Sequence, residues 1–203
     1  MPRLLSLRPG HGYDARVSGL AAILRAELDP PDPDPVLPEG NPAAVMIPLV
    51  LGEEPSVLFT RRSELVRQHK GEISFPGGSR HDDDADLLST ALRETEEELG
   101  IPAERFEVLG GLPATHTFVS GFVIAPYVGL LADRPVLVPS PEEIAEVIEA
   151  PLSVLFEAER EVPSPGGPHL TMFTYDLEEQ TVWGATGRIL HDLLGLLRKG
   201  GWR

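Results

Sequence analysis

Six of the fourteen residues from 29 to 42 are proline. Each lacks a backbone N–H and fixes φ, so neither a helix nor a laddered strand is expected to run through the segment. The chain is thereby divided into an N-terminal helical arm (1–28), a proline-rich linker (29–42) and a main domain (43–203). Within the arm, Val17, Leu20, Ile23, Leu24 and Leu28 recur at helical spacing, which predicts an amphipathic helix over 16–28. Such an arm can either pack on the main domain as an extra helix or mediate self-association as a homo-oligomer.

In the main domain, short β-rich apolar runs at 43–51 and 56–60, separated by Gly52-Glu53-Glu54-Pro55, predict a strand pair. An acidic helix is expected over 86–99, then strands over 106–112 and 119–130 and a helix over 141–149. Strands over 154–161 and 170–177 and a closing helix over 186–198 complete the reading. The order is mixed α/β without an internal repeat.

Composition narrows the function classes. The 203-residue chain suffices for one packed domain, and no apolar run approaches the ~20 residues of a membrane span, so a soluble protein with no membrane partner is expected. Its start lacks the apolar centre of a secretory signal, and a cytoplasmic location is the default. There is no cysteine, so any metal must be held by oxygen or imidazole. A formal net charge of −15 argues against nucleic acid as a partner, whereas a small anionic substrate needs only a local basic patch or a bound cation.

The segment Arg93-Glu94-Thr95-Glu96-Glu97-Glu98-Leu99-Gly100-Ile101 carries the strongest chemical signal. On a helix Glu94, Glu97 and Glu98 stand at i, i+3 and i+4, so their carboxylates share a face. Like charges so placed repel, and a divalent cation turns the repulsion into a binding site; Mg²⁺ suits hard oxygen ligands and keeps positions for water or phosphate oxygens. A solvated acidic face is the alternative. Upstream, Ser74-Phe75-Pro76-Gly77-Gly78 is a turn through which backbone can approach a ligand, and residues 60–80 hold Arg61, Arg62, Arg67, Lys70 and Arg80 with His69 beside them. In so acidic a chain this is a local reversal of sign that suits phosphate recognition, although pairing with Glu64 and Glu72 on a surface would also account for it.

The run from Gly78 to Ile101 resembles the Nudix signature. Arg93-Glu94, Glu97-Glu98 and Gly100-Ile101 match its second half, with Thr95 where an aliphatic residue is usual. Counting from Gly78, Asp84 stands where a glutamate is expected, and Arg93 comes one residue late. The string from Leu58 to Gly78, with Leu58, Thr60, Arg62-Ser63, Arg67, Gly71 and Phe75-Pro76-Gly77-Gly78, resembles the additional signature of the coenzyme A pyrophosphatase branch. Further similarity lies at Ser120-Gly121-Phe122, Pro126-Tyr127-Val128-Gly129, Pro151-Leu152 and Trp183-Gly184-Ala185-Thr186.

The resemblance implies an α/β/α sandwich with a mixed sheet and the acidic helix packed on it. It implies a hydrolase with Glu94, Glu97 and Glu98 as ligands of Mg²⁺ or Mn²⁺, one of them a participant in activating water, and Arg93 orienting a glutamate. Coenzyme A would be cleaved to 4′-phosphopantetheine and adenosine 3′,5′-bisphosphate, with Arg61, Arg62, Arg67, Lys70, Gly77 and Gly78 at the substrate. Other nucleoside diphosphate derivatives, such as ADP-ribose or dinucleoside polyphosphates, and a non-catalytic nucleotide-binding module remain as alternatives. Glu143 is an alternative general base, His116 reads as a polar loop residue, and Trp183 is expected in the core.

Overall fold

Proline at position 42 does not keep residues 41 and 42 out of the sheet. In the computed structural model, which describes residues 13–64, 71–117, 120–164, 171–178 and 180–202, strand β1 (Asn41–Val50) begins inside the proline-rich segment. It runs parallel to β7 (Phe122–Leu131) for its whole length, from Asn41↔Phe122 to Val50↔Leu131. Parallel strands in the middle of a sheet are covered on both faces and read as continuous apolar runs, which explains the lack of strict alternation in both.

At its far end β1 pairs antiparallel with β2 (Ser56–Arg62) at Leu49↔Val57 and Val50↔Ser56, and the two then diverge. The gap is filled by β3 (Ile73–Ser74), which pairs with β2, and β4 (Gly77–Ser79), which pairs with β1. On its other side β2 is paired along its length by β8 (Ile144–Pro151), while β5 (Glu107–Gly111) and β6 (Thr115–His116) line β7. The central sheet is therefore mixed, with eight strands among the described residues. A small antiparallel sheet of β9 (Glu159–Pro163), β10 (Thr171–Leu177) and β11 (Gln180–Val182) lies beside it.

Each face of the central sheet has its own core. Ile47, Leu49, Val57 and Phe59 point toward α1 (Tyr13–Glu27), α4 (Gly184–Lys199) and Tyr175 of the small sheet. The alternate residues Ala44, Met46, Val50 and Leu58 point toward α2 (Leu87–Leu99). This period-two division makes the α/β/α sandwich.

Two expected elements exchange type. Residues 141–149, read as a helix from the acids after Pro141, form a turn at Ser140, which accepts from the backbone N–H of Glu143 and Ile144, and then strand β8. The β-branched Ile144, Val147 and Ile148 satisfy their backbone on the edge of β2, a partner that no local signal reveals. Residues 154–161, read as a strand, begin instead in helix α3 (Leu152–Ala158), whose Leu152, Leu155 and Ala158 are buried at three-residue spacing.

The N-terminal helix packs into the main core. Leu20 and Leu24 are fully buried there with Leu193 and Leu197 of α4. The proline-rich segment is tied down as well: the Tyr127 hydroxyl donates to the carbonyls of Asp32 (3.0 Å) and Pro33 (3.1 Å), and the Pro33 carbonyl also accepts from the N–H of Leu88 (3.0 Å) in the first turn of α2. One of the otherwise unsatisfied N–H groups of that turn is thus capped by the segment. Leu24→Ala should lower the stability of the whole domain by about 2–5 kcal/mol, read as a fall in the urea midpoint. An unchanged midpoint would mean that the helix is only tethered.

Candidate active site

Helix α2 starts where Asp86 accepts at 2.7 Å from the N–H of Ser89 and ends at Gly100, whose φ of +70° lets its N–H return to the Glu96 carbonyl. Its buried stripe is Leu87, Thr90, Ala91, Thr95, Glu98 and Leu99. Thr95, where an aliphatic residue was expected, is tolerated in the core because its hydroxyl donates to the Ala91 carbonyl at 2.6 Å. Glu98 falls on this stripe and is 2% exposed, Glu94 lies at its border, and Glu97 is 58% exposed. The three carboxylates therefore descend from solvent into the protein.

Arg93 ties the outer part of this set together. Its Nε and one terminal nitrogen donate to the two oxygens of Asp84 at 2.8 and 3.0 Å, a bidentate pair. The other terminal nitrogen donates to Glu94 at 2.8 Å and to Glu97 at 3.1 Å. Asp84 is 6% exposed and also accepts from the Thr90 hydroxyl and the His81 N–H, both at 2.9 Å. The Arg93 hydrogen bonds hold its carboxyl well below the usual range against the opposing effect of burial, and the His81 and Thr90 bonds add to them. The residue that departs from the signature thus anchors the arginine. Its position six residues after Gly78 and nine before Arg93 was the available clue.

Gly77 and Gly78 are explained by contacts within the protein. Gly77 has φ +154°, and a Cβ there would stand 2.3 Å from the Ala44 carbonyl oxygen on β1. A Cβ on Gly78 would stand 2.6 Å from the carboxyl carbon of Glu94. The two glycines let β4 run between β1 and the glutamates without side chains in the way.

Glu98 is a strongly perturbed carboxylate. Burial pushes its pKa up to about 8; Arg62 opposes the shift, Glu94 reinforces it, the Gly77 N–H opposes it and Glu143 reinforces it. Arg62 approaches Glu98 at 3.6 Å, a loose ion pair. The Nε of Arg62 and Oε2 of Glu98 are both buried without a hydrogen-bond partner among the described residues. Glu143, next to the Ser140 turn, is exposed, and its carbonyl accepts from the Ser63 N–H at 2.7 Å, which sets it at the end of β2.

The basic segment is not one patch. Consecutive residues of β2 alternate between faces, and a register shift between Arg61 and Arg62 separates them further. Arg62 turns to Glu98, while Arg61 donates to Glu146 of β8 at 3.0 Å. Arg80 pairs with Asp34 of the proline-rich segment at 2.8 Å. Arg67, His69 and Lys70 lie outside the described residues. His116 is exposed on β6. Trp183, expected in the core, is instead 49% exposed just before α4. The left-handed Gly184 (φ +65°) starts that helix beyond it, so the apolar stripe of α4 turns inward without the indole.

Among the described residues no three carboxylate or imidazole groups converge as a preformed metal cage. The donor set nevertheless fits a hard divalent cation: carboxylate oxygens only, with an orphaned buried oxygen on Glu98. Mg²⁺ in particular is commonly held by one or two carboxylates, with waters and substrate phosphates completing its shell.

The chain matches the family described as NUDIX domain over residues 40–167. It is 39% identical over 176 residues to a protein of Pectobacterium atrosepticum described as the uncharacterized Nudix hydrolase NudL, covering 84% of this chain and 90% of that protein. Among solved structures, a MutT/nudix family protein from Enterococcus faecalis aligns with a TM-score of 0.56 at 16% identity, over 81% of this chain and 64% of that one. A C. elegans Ap4A hydrolase binary complex aligns with a TM-score of 0.52 at 16% identity, over 78% and 98%. At such identities these two likenesses are of fold. No helix among the described residues is long and apolar enough to cross a membrane.

Asp84→Asn should cost about 1.5–3 kcal/mol at pH 6, the range for a hydrogen-bonded charged group. Because the folded pKa of Asp84 lies below its unfolded value, the charge contributes stability above about pH 3.9 and loses that contribution as pH falls further. The gap in urea midpoint between native protein and variant should therefore shrink between pH 5 and pH 3. A gap independent of pH would remove the charged pair from the account.

Proposed function

The chain belongs to the NUDIX domain family and is a Nudix hydrolase acting on nucleoside diphosphate derivatives, and we propose that its substrate is coenzyme A, cleaved to 4′-phosphopantetheine and adenosine 3′,5′-bisphosphate. The observation that carries the catalytic part of this reading is the descent of Glu94, Glu97 and Glu98 along α2 beside Gly77-Gly78, ending at a buried oxygen with no hydrogen-bond partner among the described residues. The coenzyme A part rests on the sequence string from Leu58 to Gly78, which ends at these glycines.

In the proposed site Glu94, Glu97 and Glu98 would hold Mg²⁺ or Mn²⁺, which would neutralise pyrophosphate oxygens and lower the pKa of an attacking water. The protein supplies orientation and charge. Arg93, itself fixed by Asp84, sets the rotamers of Glu94 and Glu97. Gly77 and Gly78 act through Glu98 and Glu94, whose carboxylates their backbone adjoins. The proton of the attacking water passes to a glutamate of α2 or to Glu143. Arg62 keeps Glu98 biased toward its charged form, and Arg67 and Lys70 meet substrate phosphate.

Coenzyme A, ADP-ribose and diadenosine polyphosphates incubated with the purified protein, with Mg²⁺ and with excess chelator, should be distinguished by mass spectrometry of products. Metal-dependent release of 4′-phosphopantetheine and adenosine 3′,5′-bisphosphate, with the other compounds slower, is the expected result. Turnover of another compound alone would overturn the coenzyme A assignment. Glu98→Gln should lower kcat/KM by more than the roughly 10–100-fold typical of losing an outer-shell partner of a metal. Retained activity in that variant would remove Glu98 from the metal site.

A further inference from the structure

Arg62 is the last residue of β2, just past the register shift that separates it from Arg61. Its backbone is held on both sides. The N–H donates to the Glu72 carbonyl at 3.0 Å, the carbonyl accepts from the Gly71 N–H at 3.1 Å, and the residue pairs with Ile144 of β8. From this fixed base the side chain reaches Glu98 of α2, with 3.6 Å between guanidinium nitrogen and carboxylate oxygen. We propose that the Arg62 guanidinium is a resident counter-ion that competes with the divalent cation for Glu98, holding that carboxylate while the site is empty and leaving it when the cation binds. The inference rests on the carboxylates of α2 holding a cation, and not on coenzyme A being the substrate.

The first observation behind it is how loosely the pair is made. An arginine–carboxylate pair built for strength is bidentate, with N–O separations of about 2.7–2.9 Å. Arg93 and Asp84 form such a pair in the same site, at 2.8 and 3.0 Å. Arg62 and Glu98 stand beyond hydrogen-bond distance, and Nε of the one and Oε2 of the other are both buried with no hydrogen-bond partner among the described residues. Arg62 thus gives Glu98 a neighbouring charge without the hydrogen bonds that would make the contact hard to exchange.

The second is which partner can move. The Glu98 side chain is 2% exposed and accepts from the Gly77 N–H, whereas the Arg62 side chain is 28% exposed. A long arginine anchored at its base can keep its stem on the protein and carry its head toward water. A buried carboxylate on a packed helix has no such route. Withdrawing the guanidinium alone would leave a buried charge unpaired, which is strongly unfavourable, so its departure is tied to the arrival of other positive charge.

The third is the balance of charge at the inner end of α2. Glu94 and Glu143 both act on Glu98 with like charge, and Arg62 opposes them. Arg93 is committed to Asp84, Glu94 and Glu97. Among the described residues one guanidinium therefore faces three carboxylates, and an ion of twice its charge is the better partner for them. The same ion repels a guanidinium left in place. Arg62 keeps Glu98 charged in the empty site, and by occupying it raises the cation concentration at which the site fills.

The test is titration calorimetry with Mg²⁺ at pH 9, where protons compete least for Glu98. Arg62→Gln, which removes the charge and keeps a polar side chain, should bind Mg²⁺ on the order of tenfold more tightly than the native protein. Arg62→Lys keeps the charge and should stay close to native affinity. In a Glu98→Gln background the Arg62→Gln change should have a much smaller effect, because the contested carboxylate is gone. Without metal, Arg62→Gln should have a lower urea midpoint than the native protein, and saturating Mg²⁺ should raise that midpoint by more. A residue that merely shaped the site would give the reverse, weaker Mg²⁺ binding on substitution. Should the glutamine variant fail to fold, Arg62→Met supplies the same comparison. Native-like or weaker Mg²⁺ affinity in a folded neutral variant, with Mg²⁺ bound by the native protein, would overturn the inference alone. Mg²⁺ bound by neither the native protein nor any Arg62 variant would sink the cation reading of α2, and the inference with it. Failure to cleave coenzyme A touches neither.

Discussion

Three glutamates on one helix repel one another, and in this structure one guanidinium holds the outer two. Arg93 meets both with one nitrogen while Asp84 grips the rest of the group. Without the aspartate the guanidinium would lose its bidentate anchor. With it, Glu94 and Glu97 are held by a single anchored guanidinium. The third glutamate, Glu98, is governed differently. It is buried, loosely paired with Arg62, and its pKa near 8 records the cost of an incompletely satisfied charge. In the proposed site a cation would supply what the protein leaves open there.

The sheet explains why these groups meet. β1 and β2 part after two paired residues, and the segment through Phe75-Pro76-Gly77-Gly78 enters the gap. Phe75 stacks on Phe59 with centroids 4.9 Å apart, anchoring the insertion in the core, and the glycines behind it pass under α2. The same divergence gives the end of β2 two roles. Arg62 faces the acidic helix, and Arg61 turns to Glu146 of β8 on the other face.

Much of this was legible in the sequence because its signals are local. The i, i+3, i+4 glutamates and the paired glycines each announce themselves within a few residues. The elements that were misread depend on distant partners. Residues 141–149 open on acids that suit a helix start, but the edge of β2 makes 144–151 a strand. Trp183 looks like a core residue by type, and only the geometry of Gly184 and α4 turns it outward. The arginines of 60–80 look like one basic patch in one dimension; the period of a strand and a register shift divide Arg61 from Arg62. Asp84 was visible only as a departure from a pattern, and its bond to Arg93 gives that departure a physical reason.

The central claim is that the carboxylates of α2 form a divalent-cation site. Mn²⁺ titration followed by electron paramagnetic resonance, on the native protein and on Glu94→Gln and Glu98→Gln, tests it without depending on any substrate. The account predicts Mn²⁺ bound by the native protein, displaced by Mg²⁺, and weakened in both variants while their far-UV circular dichroism is unchanged. Equal Mn²⁺ affinity in all three proteins, or none in the native one, would contradict it.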